Sequence, residues 1–136
     1  MHKSQKGFTL VELVVVIVLL GILGVTALGK FENLSANAAN AANSGVASEI
    51  SSAAAINYAA FVVSNGTQGD AMTAANDDCA VGSLGVLFQS GIFPASHTSV
   101  AGAGACAAAG DTYTCSITDT AALGAAAIAT VVCTGP

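Results

Sequence analysis

Between Gly7 and Phe31 the chain reads GFTLVELVVVIVLLGILGVTALGKF, and this stretch decides the fold. From Phe8 to Gly29 only Thr9, Glu12 and Thr26 carry a polar side chain. As an α-helix rising about 1.5 Å per residue, such a run reaches across a hydrocarbon core of roughly 30 Å. A carboxylate inside it costs roughly 2.5–3.5 kcal/mol at mid-bilayer and less toward an interface. Glu12 therefore needs a partner, yet no Lys, Arg or His lies between Phe8 and Gly29. The missing cation has to come from outside the segment.

Lys3 and Lys6 precede the apolar run, and no Lys or Arg follows Lys30. That asymmetry places the N-terminus in the cytoplasm and the C-terminus outside. Cys79, Cys106, Cys115 and Cys133 all fall in the outside part and point to two disulfides in an oxidising compartment. A secretory signal peptide also has a basic start and an apolar stretch, and Val25-Thr26-Ala27 would serve as its cleavage site. Against it stand the length of the run and Glu12 inside it, where a signal peptide gains nothing from a charge.

The basic leader ending in Gly7, followed by Phe8-Thr9-Leu10-Val11-Glu12-Leu13 at the head of a long apolar helix, resembles the type IV pilins and the pseudopilins of type II secretion. The segment 25–35, VTALGKFENLS, resembles the mannose-sensitive haemagglutinin-type pilins. The resemblance implies an α+β fold, a long N-terminal helix packed on a small antiparallel sheet with a disulfide-stapled C-terminal region. It implies cleavage between Gly7 and Phe8 by a prepilin peptidase and N-methylation of Phe8. Glu12 would then meet the Phe8 ammonium of a neighbouring subunit, the cation that the segment lacks. Gly21, Gly24 and Gly29 would let the helix melt locally in a filament, although many pilins carry proline where Gly29 stands. On the residues alone, these glycines equally suit close helix–helix packing in a membrane.

The expected layout is a leader at 1–7, a membrane and assembly helix at 8–30, and a globular domain at 31–136 that includes the second half of the helix. No proline interrupts 8–63, so the helix should run to about Val63. Beyond Lys30, Phe31, Leu34, Ala38, Ala42, Val46, Ile50, Ala53 and Ala60 recur at helical spacing and read as the buried stripe. Ile56 and Phe61 would be its last anchors, while Glu32, Asn33, Asn37, Asn40, Asn43 and Ser44 take the other side. Residues 64–69, SNGTQG, end the helix. A short helix is expected near 83–89, loop over 96–110, strands at Thr112–Thr118 and Ala127–Cys133, and a turn at 119–124. Hydrophobic residues make up 54% of the chain with no Trp, and much of that share is alanine, so the core should be thin.

Four cysteines allow three connectivities. If the two strands pair, Cys115 and Cys133 come within reach, leaving Cys79 with Cys106. A zinc site would need a C-x2-C element, and none is present. Asp70, Asp77 and Asp78 lack the D-x-D-x-D-G pattern of a calcium loop and read as solvated charge. His2 leaves with the leader, and His97 reads as an exposed loop residue. Asn65-Gly66-Thr67 fits a glycosylation sequon. Phe8, Phe31, Tyr58 and Phe61 are explained by hydrophobic packing better than by electron transfer.

No catalytic constellation, metal site or cofactor is expected. Without its leader the chain keeps Lys30 against eight carboxylates, a side-chain net of −7 that repels nucleic acid. The expected function is a major pilin: held in the bacterial inner membrane, handled by the prepilin peptidase, methyltransferase and assembly machinery, and polymerised into a homo-oligomeric surface pilus for adhesion, motility or uptake. The alternatives are a pseudopilin of type II secretion and a secreted soluble binding module cut after Ala27.

Overall fold

The computed structural model describes residues 7–73 and 79–135, apart from the side chain of Glu32. Leader residues 1–6, Asp77, Asp78 and the Glu32 side chain therefore lie outside the described residues. Five elements follow in order: α1 (Leu10–Val63), α2 (Val81–Gly85), β1 (His97–Gly104), β2 (Thr112–Asp119) and β3 (Ala127–Val132). The chain divides into two compact units, residues 1–35 and 36–136. The fold is α+β: a long N-terminal helix, a three-stranded antiparallel sheet in the order β1-β2-β3, and two disulfides.

Helix α1 is 54 residues long and contains the apolar run, with a mean hydropathy of 2.8 over its most apolar window. Leu10, Val16, Leu20 and Leu23 are all largely exposed, and among the described residues nothing covers them. Thr26 satisfies its hydroxyl inside the helix, donating to the carbonyls of Ile22 and Leu23 at 3.3 and 3.0 Å. The far end is closed by a left-handed Asn65 (φ 54°), with Gly66 N–H donating to Phe61 O and Asn65 N–H to Val62 O. These two bonds satisfy carbonyls that the helix leaves without partners.

In the second unit, α1 buries Asn43, Ala47, Ile50 and Ala54, spaced four, three and four residues apart. The expected stripe fails in its first half, Phe31 to Ala42, and holds from Val46 on, where Ile50 is buried and Val46 packs against the core. Leu34 is 62% exposed, Ala38 and Ala42 face solvent, and so does the expected anchor Ile56, 71% exposed. Repeated steps of four residues turn 400° each, so that stripe winds off the core side by about 40° per step. Asn43, assigned to the outer side, is fully buried: its amide donates to Ala125 O at 2.9 Å and approaches Asp119 Oδ1 at 3.5 Å.

Strand β2 is central. Tyr113, Cys115 and Ile117 point inward, and with Ala129 and Val131 of β3 they join Ala47, Ile50 and Ala54 in one core. Helix α2 adds Leu84, and the segment after it adds Phe88 and Phe93, whose rings meet edge to face at 5.7 Å. That helix occupies Val81–Gly85 rather than 83–89. The expected loop at 96–110 is largely strand β1. Its AGAG end shows no apolar–polar alternation, and it pairs with β2 through backbone. A Cβ at Gly102 or Gly104 would collide with Thr114 or Thr112, so only glycine admits this close approach.

The disulfides join Cys79 to Cys115 and Cys106 to Cys133, correcting the pairs Cys79–Cys106 and Cys115–Cys133. The two strands do pair, but Cys115 stands opposite Ala129. Cys133 lies four residues further along, roughly 13 Å at 3.3 Å per residue, well beyond disulfide reach. The bridges instead tie the 79–95 segment to the central strand and the 105–111 connection to the C-terminus.

Candidate processing and assembly site

The site candidates cluster where the chain enters α1. Gly7, Phe8 and Thr9 are non-helical and exposed, and Phe8 is 87% accessible. A Cβ on Gly7 would meet nothing within 4 Å. The Gly7–Phe8 peptide bond thus lies outside the helix, ahead of its first residue, Leu10. Among the described residues nothing would crowd a larger side chain at position 7.

Thr9 starts the helix. Its hydroxyl accepts from Glu12 N–H at 3.3 Å, while its own N–H and Oγ1–H donate to Glu12 Oε2 at 3.0 and 2.9 Å. This is a capping box, which satisfies otherwise orphaned helix donors reciprocally. The signal was present in the sequence as Thr9-x-x-Glu12 ahead of an apolar run. The sequence reading did not single out Thr9 as the residue that caps this helix. The same cap means that Phe8 precedes the helix and does not share a helical face with Glu12.

No ion pair reaches Glu12 among the described residues. Lys30 lies 18 residues on, five turns and about 27 Å up the same helix. Among the described residues the carboxylate is therefore held by its own helix start and meets no cation.

Gly21, Gly24 and Gly29 all lie inside the continuous helix, and a Cβ on any of them would meet nothing within 4 Å. Gly21 leaves a shallow apolar notch beside Val18, Ile22 and Val25. Among the described residues no packing calls for these glycines.

The remaining candidates stay apart from this region. Asp70 is exposed, its N–H donating to Asn57 Oδ1 at 2.6 Å. Among the described residues, no three His, Cys, Asp or Glu side chains gather where a metal could bind. His97 is half-buried on the inward side of β1, correcting its expected exposure, with Nδ1 2.9 Å from Ser96 Oγ. Asn65 of the sequon is exposed at the end of α1. Tyr58 and Phe61 stack at 6.4 Å, whereas Phe8 and Phe31 are exposed.

Asp119 organises the β2–β3 turn. Its carboxylate accepts from Leu123 N–H and Gly124 N–H, both at 3.1 Å. The Leu123 bond is the largest cause holding its pKa below the ordinary aspartate value. The Gly124 and Asn43 contacts add to it against partial desolvation.

No curated protein and no solved structure matches the chain. Residues 2–28 match the family model described as the prokaryotic N-terminal methylation motif. That match spans the basic leader, the exposed Gly7–Phe8 bond, the Thr9–Glu12 cap and most of the apolar run. The chain carries the class III prepilin leader of the type IV pilins and pseudopilins.

Proposed function

We propose that this protein is the major subunit of a type IV pilus. The observation that carries the reading is a prepilin leader joined to an apolar helix that its own chain leaves bare. Leader and helix together fit an inner-membrane precursor. Lipid covers the helix first, and after cleavage between Gly7 and Phe8 it passes into a bundle of like helices. Phe8 becomes the N-methylated terminus, and its ammonium pairs with Glu12 of a neighbour. The pair supplies the cation absent from residues 8–29 and fixes the axial register between subunits. The bare glycines at 21, 24 and 29 provide sites where the helix can open as the polymer forms. The folded unit at 36–136 then faces outward on a surface filament that serves adhesion, motility or uptake.

Mass spectrometry of the N-terminal peptide, with electron microscopy of sheared surface material, tests this reading. N-methylphenylalanine at residue 8 in protein recovered from long surface filaments is the expected result. The same terminus in protein found only in the cell envelope would favour the pseudopilin reading. A mature terminus at Leu28 would overturn both.

A further inference from the structure

The two edges of the sheet are treated differently. On β3, α1 covers the open backbone: Ser51 Oγ accepts from Thr130 N–H at 2.9 Å. Just ahead of that strand, Asn40 Oδ1 accepts from Ala125 N–H at 2.5 Å, and Asn43 donates to Ala125 O. On β1, every residue from Val100 to Gly104 is exposed.

The register shows which β1 groups face outward. Thr130 N–H turns away from β2, so its opposite, Thr114, directs its backbone toward β1. Successive residues alternate, so Ser116 and Thr118 also face β1, where they meet Val100 and Thr98. Thr120 N–H donating to Ser96 O continues the same phase. Ser99 and Ala101 therefore present their N–H and C=O groups to the open edge. His97 also faces outward, but its N–H is taken by Pro94 O at 3.0 Å. Past Ala101 the register breaks, and Ala103 N–H turns to Thr114 Oγ1.

We infer that β1 pairs with β1 of a second copy, antiparallel and centred on Val100. In this register Ser99 of each copy exchanges both backbone bonds with Ala101 of the other, using completely the two residues whose backbone groups have no other partner among the described residues. Val100 then faces its own counterpart across a non-hydrogen-bonded position, where side chains come closest and a β-branched pair is favourable. A register centred on Ser99 would instead bring in His97, whose N–H is already engaged. Charge points to the same surface. The chain is strongly acidic, yet residues 97–110 contain no Asp or Glu, so the strand itself sets no like charges against its counterpart. Natural edges are commonly guarded by lysine, proline or an inward charge, and 98–101 (TSVA) has none of these.

Four hydrogen bonds over a few residues fall far short of the roughly 1,200 Å² of a stable interface. The contact is weak between two isolated subunits and gains strength when a polymer repeats it. In the filament proposed above it becomes a lateral contact, but pairing itself is a property of the folded subunit and does not depend on that reading.

The test uses the full-length chain in detergent micelles, following amide hydrogen exchange across a hundredfold range of protein concentration. Exchange at Ser99 and Ala101 should slow about tenfold toward the highest concentration, while amides in the β2–β3 ladder stay constant. Val100 is 61% exposed, so V100K and V100E leave the core alone, and unchanged β2–β3 exchange verifies their folding. Each variant alone should lose the concentration dependence, because like charges then stand directly opposite. An equimolar mixture should restore it. Concentration-independent exchange in the parent chain, protection retained in either variant alone, or a mixture that fails to restore it would each overturn the inference.

Discussion

Replacing Glu12 by leucine separates what this carboxylate does for its own helix from what it does for the polymer. In the single chain, Glu12→Leu removes two bonds from Thr9 to Oε2 and leaves Thr9 N–H without that partner. Loss of half a capping box at an exposed helix start costs about 1 kcal/mol, small against the apolar run that drives membrane insertion. Insertion and cleavage at Gly7–Phe8 should therefore continue. In the polymer the cost is different. The Phe8 ammonium of a neighbour would be buried in an apolar bundle without its counter-charge, a loss of about 3–5 kcal/mol for a broken buried pair. At 1.36 kcal/mol per decade this disfavours incorporation by roughly two to nearly four orders of magnitude. Cells producing both versions should hold equal amounts of each in the membrane, and mass spectrometry of sheared filaments should find almost no variant. Glu12→Gln, which keeps an acceptor for the Thr9 cap, should be excluded almost as strongly. Recovery of either variant in filaments at its membrane proportion would refute the pairing and leave Glu12 as a helix-cap residue only.

Gly7→Val should leave unprocessed precursor in the membrane without disturbing the fold, since position 7 is open; an anti-leader immunoblot reads this directly. Non-reducing peptide mapping should recover Cys79 linked to Cys115 and Cys106 linked to Cys133. Removing the second bridge, which spans 27 residues, should lower stability by about 3.5 kcal/mol by loop entropy. Asp119 has a folded pKa below its unfolded value, so its contribution is complete above the unfolded value and disappears as pH falls through the folded one. Thermal unfolding followed from pH 6 toward pH 2 should show this acid loss in the parent chain and a shallower loss in Asp119→Asn.

What the sequence determined by itself is the N-terminal half. A run of apolar side chains without proline has one stable arrangement in lipid, because only a helix satisfies every backbone group internally. Its run to Val63 and its capped start at Thr9 and Glu12 were legible because each depends on neighbours within about four residues. The strands Thr112–Asp119 and Ala127–Val132 also announced themselves through alternation around Tyr113, Cys115 and Ile117. Tertiary structure decided the rest. Which side of α1 is buried could not be read from a segment so rich in alanine, because Ala38, Ala42, Ala47 and Ala54 offer the helix nearly equivalent faces. The sheet selects the side holding Ile50, and it brings Asn43 with it because Ala125 and Asp119 supply polar partners. β1 was hidden because glycine and alanine carry almost no pattern, and its pairing rests on backbone bonds and on the close approach that Gly102 and Gly104 permit. The disulfides followed register: the residue opposite Cys115 is Ala129, and the sulfur within its reach belongs to Cys79, 36 positions away along the chain. Patterns that act within a helical turn or a strand repeat survive in one dimension, whereas choices among nearly equal faces and among distant partners are settled only by the energy of the assembled core.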